Sequence, residues 1–171
     1  MNNHVLLLVP MRPSQPHSLV SIFHEKLKML MDYTASTVTL VDLVVDRRKV
    51  EGAEGKLGNF NARQAPMAYL RNQLIEDHLC DHHTHVLWMD SDLVEFTPTL
   101  VEDLLRVSES AIVGAAAHKI REDGLIWYDT AGFIEKGKRA NTKAPWFKQP
   151  GPLIKLDSVG MCYLVPSDVY R

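Results

Sequence analysis

Runs of apolar residues alternate with amphipathic stretches along the first half of the chain. Residues 5–9 are continuously apolar and stop at Pro10, a pattern typical of a strand buried on both faces of a parallel sheet. Apolar residues then recur at three- and four-residue spacing across residues 19–30, which predicts an amphipathic helix. The β-branched run at residues 38–45 predicts a second strand. The chain therefore begins with a strand–helix–strand unit.

The alternation continues through the second half of the chain, where the elements become shorter. Thr97 is expected to cap a third helix with Pro98 at its first position, and Ser167 to begin a last helix. We also predict a helix at residues 67–79, strands at residues 86–89, 111–117 and 159–165, an antiparallel pair formed by residues 126–128 and 132–134, and loops at residues 47–62 and 136–152.

This order of elements predicts an α/β fold with a mixed, mostly parallel sheet flanked by helices. A chain of 171 residues can bury its own core, so we expect residues 1–171 to form a single domain. Such sheets bind ligands beyond the carboxyl ends of their strands. Two segments fall there: residues 10–12 after the first strand and residues 90–92 after the third.

Composition narrows the range of functions. The net charge of -2 argues against a broad nucleic-acid-binding surface. No apolar run approaches the roughly 20 residues of a membrane-spanning helix, so we expect no integral membrane segment. The two cysteines, Cys80 and Cys162, are far apart and suggest no disulfide framework. This favours a reducing compartment, and we expect a cytoplasmic protein.

The pair Asp90 and Asp92 carries the clearest chemical signal. Two neighbouring carboxylates at a strand end attract a hard divalent cation, which prefers oxygen ligands and can bridge to a diphosphate. The ion would stabilise the charge that develops on a departing nucleoside diphosphate. Asp-x-Asp segments also serve as turn or capping residues. The position after a buried strand and before a helix start favours the metal site.

The segment around this pair resembles a known family. Residues 86–94 (VLWMDSDLV) and 98–104 (PTLVEDL) are similar to the metal-site segment of the Anp1-like GT-A mannosyltransferases, subunits of the fungal mannan polymerase. Residues 69–72 (YLRN), 45–46 (VD) and 156–160 (LDSVG) resemble further family motifs in the same order. The resemblance spans about residues 5–171 and implies a GT-A (Rossmann-like) fold. It also implies an enzyme that moves a sugar from a nucleoside-diphosphate sugar to a hydroxyl acceptor.

The resemblance also implies roles for single residues. Asp92 would bind Mn²⁺ or Mg²⁺ directly, and Asp90 would lie near both the metal and the ribose of the donor, which is GDP-mannose or a UDP-sugar. The base would lie between Pro10 and Asp46. The donor's phosphate or sugar would be contacted by Arg71 and Asn72, and the transferred sugar or acceptor by Asp157.

Several of these residues also have other interpretations. Arg12 either holds a phosphate or is an exposed loop residue, and Arg71 suits bidentate phosphate contact unless it is simply solvated. Asp46 either accepts hydrogen bonds from a base or caps a strand end. Asp157 either acts as a base towards the acceptor or occupies a turn.

Two further groups of residues have weaker signals. Tyr128 and Asp129 are interpreted as strand-edge residues rather than as part of a sugar pocket. Zinc takes histidine and cysteine ligands, but the spacing of a histidine-rich segment matches no usual paired-ligand pattern, and histidines near a helix C-terminus also interact favourably with the helix dipole. That segment contains His78, Cys80, His82, His83 and His85.

The sequence differs from the family in two respects, and two functions other than sugar transfer are also compatible with it. The fungal enzymes carry a membrane anchor and, further along, a metal-binding histidine, and this sequence has neither. A missing C-terminal segment or a partner chain would then complete the site. The alternatives to sugar transfer are a haloacid-dehalogenase-like phosphatase, whose Asp pair normally follows the first strand, and a noncatalytic nucleotide-sugar-binding module.

Overall fold

A computed structural model describes residues 2–49, 60–108, 111–115, 118–121, 124–127, 134–135, 138–139 and 161–171. Its elements follow the predicted α/β order. They are β1 (His4–Pro10), α1 (His17–Thr34), β2 (Leu40–Asp46), α2 (Phe60–His78), β3 (His85–Met89), α3 (Leu100–Ser108), β4 (Val113–Gly114), β5 (His118–Arg121), β6 (Gly124–Trp127), β7 (Ile134–Glu135), β8 (Lys138–Arg139), β9 (Cys162–Pro166) and a 3-10 helix at Ser167–Tyr170.

The central sheet has five strands in the order β2-β1-β3-β9-β4. Strand β1 pairs in parallel with β2 and β3, while β9 runs antiparallel to both β3 and β4. Four strands therefore point one way and β9 points the other way. The predicted mixed, mostly parallel sheet flanked by helices is confirmed. The carboxyl ends of β1, β2 and β3 meet at one edge, where five of the predicted site residues fall: Pro10, Arg12, Asp46, Asp90 and Asp92.

Alternate residues of β1 face two different hydrophobic cores, as the continuous apolar run requires. Val5, Leu7 and Val9 pack with buried residues of α1 and α3. Leu6 and Leu8 pack on the other face, against α2. The strand β3 repeats the pattern, with Leu87 and Met89 on the first face and Val86 and Trp88 on the second. A residue two positions after Trp88 is therefore directed towards α2.

Two helix starts differ from the predictions. Helix α3 begins at Leu100, not at Pro98, because Pro98 and Thr99 form a turn that is closed by Leu100 N donating to Thr97 O at 3.2 Å. The first helical carbonyl belongs to Thr99, which accepts from Asp103 N at 2.9 Å. Helix α2 begins at Phe60 within the predicted loop and contains Pro66, whose ring nitrogen has no hydrogen to donate.

The predicted pairing of residues 126–128 with 132–134 is wrong for residues 126, 127 and 134, and residues 128, 132 and 133 lie outside the described part of the chain. Strand β6 pairs instead with β5, so that Ile126 lies opposite Lys119. Strand β7 pairs with β8, so that Ile134 lies opposite Arg139. In both hairpins two residues separate the paired strand ends, which is the connection length that matches the twist of paired antiparallel strands best.

Other boundaries shift by a few residues or fall outside the described part of the chain. The predicted strand at residues 111–117 is described only as β4, and Ser167 begins a single 3-10 turn. None of the helices described here combines the length and the apolar character that crossing a membrane demands. That residues 1–171 form a single domain stays a prediction.

Candidate functional site

A cavity of about 730 Å³ opens where the carboxyl ends of β1 and β3 face helix α2. Six of the predicted site residues line it, together with both aromatic and polar neighbours. Its lining residues include Pro10, Arg12, Gln15, Arg71, Asn72, Ile75, Trp88, Asp90, Ser91, Asp92, Tyr163 and Tyr170.

A tight turn holds the two aspartates at the mouth of this cavity. Residues 90–93, called the acidic turn below, are closed by a hydrogen bond from Leu93 N to Asp90 O at 3.4 Å. Asp90 N donates to Met161 O at 2.7 Å, just before β9 begins. Met161 has φ 59, a left-handed conformation that is unfavourable for a side chain of this size and is typical of functional sites. The neighbouring strand therefore fixes the position of Asp90.

Gln15 ties the acidic turn to the loop after β1. Gln15 Nε2 donates to Ser91 O at 2.6 Å, and Ser91 Oγ donates to Gln15 Oε1 at 2.6 Å. Ser91 is buried, so its polar groups need these partners. The two bonds fix the Ser91 side chain against Gln15, and the neighbouring Asp92 is exposed.

Arg71 reaches over the cavity from α2. Its Nη2 lies 3.7 Å from Asp90 Oδ1, an ion pair longer than a hydrogen bond. Its Cζ lies 5.5 Å from the Trp88 ring centroid and 5.8 Å from that of Tyr163, so the guanidinium lies over two neighbouring aromatic rings. Its Nε is buried without a hydrogen-bond partner among the described residues. The guanidinium is thus positioned with donor capacity that the described residues leave unused.

The surroundings of Asp90 disfavour its ionised form. Burial raises the pKa of Asp90 from 3.8 to about 6; Arg71 opposes this, Asp92 reinforces it and Arg12 opposes it. At neutral pH the carboxylate is therefore ionised against an energetic penalty, which Arg71 relieves only in part at its distance of 3.7 Å. A divalent cation between Asp90 and Asp92 would remove that penalty. The two carboxylates thus fit a hard cation such as Mn²⁺ or Mg²⁺.

Other predicted site residues differ in how they relate to the cavity. Pro10, Arg12 and Asn72 line it, with Arg12 exposed on the β1 loop. Asp46 lies beside Pro10 in the sheet register but does not line the cavity. Its carboxylate instead accepts from Arg48 N at 2.8 Å and Arg48 Nε at 2.7 Å.

Three predicted or weighed residues fall outside the described part of the chain: Asp157, Tyr128 and Asp129. Their roles stay predictions.

The sequence did not predict two parts of the site: the aromatic residues Trp88, Tyr163 and Tyr170, and Gln15, whose hydrogen bonds brace the acidic turn. Trp88 Nε1 donates to Tyr170 Oη at 2.8 Å, which joins β3 to the 3-10 helix. Tyr163 lies opposite Trp88 in the β3–β9 pairing. The period of two along β3 places Trp88 on the same face as Asp90, a signal that could have found it. The sequence contains no comparable signal for Gln15, which lies 76 residues before Ser91.

Comparison with known proteins agrees with the sequence resemblance. Residues 56–145 match the family model Anp1. The mannan polymerase complex subunit mnn9 of Schizosaccharomyces pombe is 32% identical over 85 residues, which cover 50% of this chain and 25% of that protein. The chain therefore spans about a quarter of the length of this curated relative. The predicted resemblance to an Anp1-like family is confirmed.

A solved structure is also similar in outline. The crystal structure of 4-diphosphocytidyl-2C-methyl-D-erythritol synthase from Anaerococcus prevotii aligns with 98% of this chain and 73% of its own, with a TM-score of 0.41 and 6% identity. Similarity at this level says nothing about function.

Proposed function

Because the chain belongs to the Anp1 family, we propose that it is the donor-binding domain of a metal-dependent glycosyltransferase. The complete enzyme would move a sugar from a nucleoside-diphosphate sugar to a hydroxyl acceptor, and the donor would be GDP-mannose or a UDP-sugar. The observation that carries this proposal is the meeting of Asp90, Asp92 and Arg71 at one cavity. Carboxylates for a cation and a guanidinium for a phosphate are the two groups that a diphosphate requires.

Each wall of the cavity has a separate task. Asp90 and Asp92 would hold Mn²⁺ or Mg²⁺ at the end of β3. Arg71 donates from α2 to a phosphate oxygen through its terminal nitrogens, one of which lies 3.7 Å from Asp90 Oδ1. Arg12 adds positive charge from the opposite loop, and Asn72 offers an amide to the sugar. The bound cation would stabilise the negative charge that develops on the departing diphosphate.

The base lies between Pro10 and Asp46 in this proposal. Because Arg48 already occupies the Asp46 carboxylate, recognition of the base or ribose by Asp46 requires that pair to share or release an oxygen. Asp157 is proposed to take the proton of the acceptor hydroxyl as the acceptor oxygen bonds to the sugar and the bond to the diphosphate breaks.

A partner chain is part of the proposal. The matched relative is a subunit of a mannan polymerase complex, and this chain spans a quarter of its length. We propose that the acceptor side of the site is completed by further residues or by another subunit. Donor binding is then the activity to expect from these 171 residues, and transfer is expected from the assembled complex.

Calorimetric titration of the chain with GDP-mannose and UDP-glucose, with and without Mn²⁺, tests this function. We expect tight donor binding only in the presence of Mn²⁺. The Asp92→Asn variant should bind the donor no more tightly with Mn²⁺ than without it. Asp32→Asn is a matched control, because Asp32 is an exposed aspartate on α1 that pairs with Lys28. It should bind the donor like the original chain.

Other outcomes distinguish the alternatives. Hydrolysis of a simple phosphate ester without any nucleotide would support the phosphatase instead. Metal-dependent donor binding that leads to no transfer, even with partner subunits added, would support a noncatalytic module. No nucleotide binding under any condition would refute donor recognition altogether.

A further inference from the structure

A second cluster of potential metal ligands lies at the other end of the parallel strands. It consists of His4, Asp42, His82 and His83 and is called the histidine cluster below. His4 begins β1, whereas the cavity lies at Pro10, the last residue of that strand. Seven residues of strand span about 20 Å, so this cluster is separate from the acidic turn.

We propose that His4, Asp42 and His82 form a binding site for a zinc-type divalent transition metal, with His83 orienting the carboxylate. One potential ligand atom from each residue of the histidine cluster lies within 4.8 Å of all the others. Asp42 Oδ2 is at the centre, 3.1 Å from His4 Nε2, 3.4 Å from His82 Nε2 and 3.0 Å from His83 Nε2.

These distances suit tetrahedral coordination. Ligand atoms bound at about 2.0 Å to a tetrahedral zinc ion lie about 3.3 Å from one another. The His4 and His82 contacts with Asp42 are close to that value. Imidazole nitrogens with one carboxylate oxygen form a ligand set that suits Zn²⁺ better than Mg²⁺ or Ca²⁺. Three protein ligands leave a fourth position for water.

Hydrogen bonding separates the role of His83 from those of the two ligand histidines. Cys80 N donates to His83 Nδ1 at 2.9 Å, so Nδ1 is unprotonated and the neutral ring carries its hydrogen on Nε2. His83 Nε2 therefore donates to Asp42 rather than binding a cation. The ring is buried, and a buried donor of this kind orients a ligating carboxylate.

The two ligand histidines, His4 and His82, can both present an unprotonated Nε2 to a metal. A histidine that binds metal through Nε2 carries its hydrogen on Nδ1. No backbone N–H donates to Nδ1 of His4 or His82 among the residues that the structure describes. About half of the Asp42 and His82 side chains is exposed, 52% and 53%, which gives an ion access from solvent.

Several bonds fix the loop that carries His82 and His83. Arg171 Nη2 donates to the carbonyls of Cys80 and Asp81, each at 3.0 Å, and Ser167 Oγ donates to His83 O at 2.7 Å. Thr84 N donates to His4 O at 2.8 Å, which ties the loop to β1. The ligands are therefore held before any ion arrives, so less ordering opposes binding.

Thermal unfolding of the metal-free chain with stoichiometric Zn²⁺, and calorimetric titration of the same ion, test the site. We expect one zinc ion per chain and a raised unfolding temperature, because an ion bound only by the folded state stabilises it. His82→Ala should abolish both effects, and since His82 is exposed this change should leave the fold intact. His24→Ala, which removes an exposed histidine on α1, should change neither.

Two further variants separate this site from the acidic turn and from a structural role. Asp90→Asn with Asp92→Asn should leave zinc binding unchanged; loss of zinc binding in this double variant would assign the ion to the acidic turn and overturn the proposal. His83→Asn keeps an acceptor for Cys80 but loses the bond to Asp42, and should weaken zinc binding about 10- to 100-fold. Equal zinc affinity of the original chain and His82→Ala would also overturn it.

Discussion

Arg71 on α2 faces Asp90 at the end of β3, with 3.7 Å between Nη2 and Oδ1. The pair joins the helix and the strand across the cavity, yet it is too long for a hydrogen bond. Cation–π contacts of Arg71 with the neighbouring rings of Trp88 and Tyr163 hold the guanidinium at this separation. This separation leaves the Asp90 carboxylate available to a metal cation and the Arg71 guanidinium available to a phosphate of the same ligand.

The first prediction concerns Arg71. Arg71→Ala should weaken binding of a nucleoside diphosphate with Mn²⁺ by about 10- to 100-fold, because a hydrogen bond to a charged group contributes about 1.5–3 kcal/mol. Arg71→Lys should recover only part of the loss, since lysine cannot reproduce the planar fork or the stacking. Calorimetry measures both, with Arg106→Ala, which removes an exposed arginine side chain of α3, as the control. An unchanged affinity of Arg71→Ala for the nucleoside diphosphate would show that Arg71 does not contribute to its binding.

The second prediction concerns the stability of the metal-free protein. Burial raises the pKa of Asp90 from 3.8 to about 6 in the folded state, so the folded chain holds more protons than the unfolded chain between these values. The Asp90 contribution to stability therefore falls as pH rises from about 4 to 6 and stays low above that. Asp90→Asn removes this penalty.

Chemical unfolding in the presence of a chelator measures the difference. At pH 7.5 Asp90→Asn should be more stable than the original chain by on the order of 1 kcal/mol, a value discounted because about a third of the side chain is exposed. The difference should vanish near pH 4. A variant that is less stable than the original chain at pH 7.5 would show that the protein itself offsets the cost of ionising Asp90, without a metal.

The third prediction concerns Gln15. Gln15→Ala removes both hydrogen bonds to Ser91 and leaves buried polar groups unpaired, which should lower the free energy of unfolding by about 1–3 kcal/mol. It should also weaken Mn²⁺ binding, because the acidic turn loses its brace. Denaturant titration and metal titration measure the two effects. Gln73→Ala, which breaks only an exposed bond to Tyr69, is the control and should change neither.

The fourth prediction concerns the two thiols. Burial, with a smaller contribution from the Asp90 charge, raises the pKa of Cys162 to about 12, whereas Cys80 is exposed. Because the thiolate is the reactive form, a thiol reagent at pH 8 should label Cys80 rapidly and Cys162 only on unfolding. Mass spectrometry of the labelled chain measures this, and Cys80→Ser should abolish labelling of the folded protein. Rapid labelling of Cys162 in that variant would contradict the packing of β9.

Sequence patterns predicted the elements that depend on local periodicity. The strands β1 and β3 follow from apolar runs, and Asp90 and Asp92 stand out at the end of β3 because of their position. The hairpins were mispaired because the periodicity of a short apolar run does not specify its partner strand. Ile126, for example, pairs with Lys119 rather than with a later residue.

Contacts between distant segments could not be predicted in this way. The brace between Gln15 and Ser91 joins residues 76 positions apart, and the contacts of Asp42 with His82 and His83 join residues 40 and 41 positions apart. Such contacts depend on strand register and helix placement, which composition and spacing do not encode. Asp42 in particular has no sequence signal, because an aspartate inside an edge strand is usually a solvated residue.

The most direct test of the donor-site proposal is an anomalous difference map from crystals of this chain soaked with Mn²⁺ and GDP. We expect one strong peak about 2.1 Å from the Asp92 carboxylate, with Asp90 beside it and diphosphate oxygens completing the coordination. Arg71 should contact the same diphosphate. A map with GDP bound elsewhere, or with manganese only at the histidine cluster, would contradict the account.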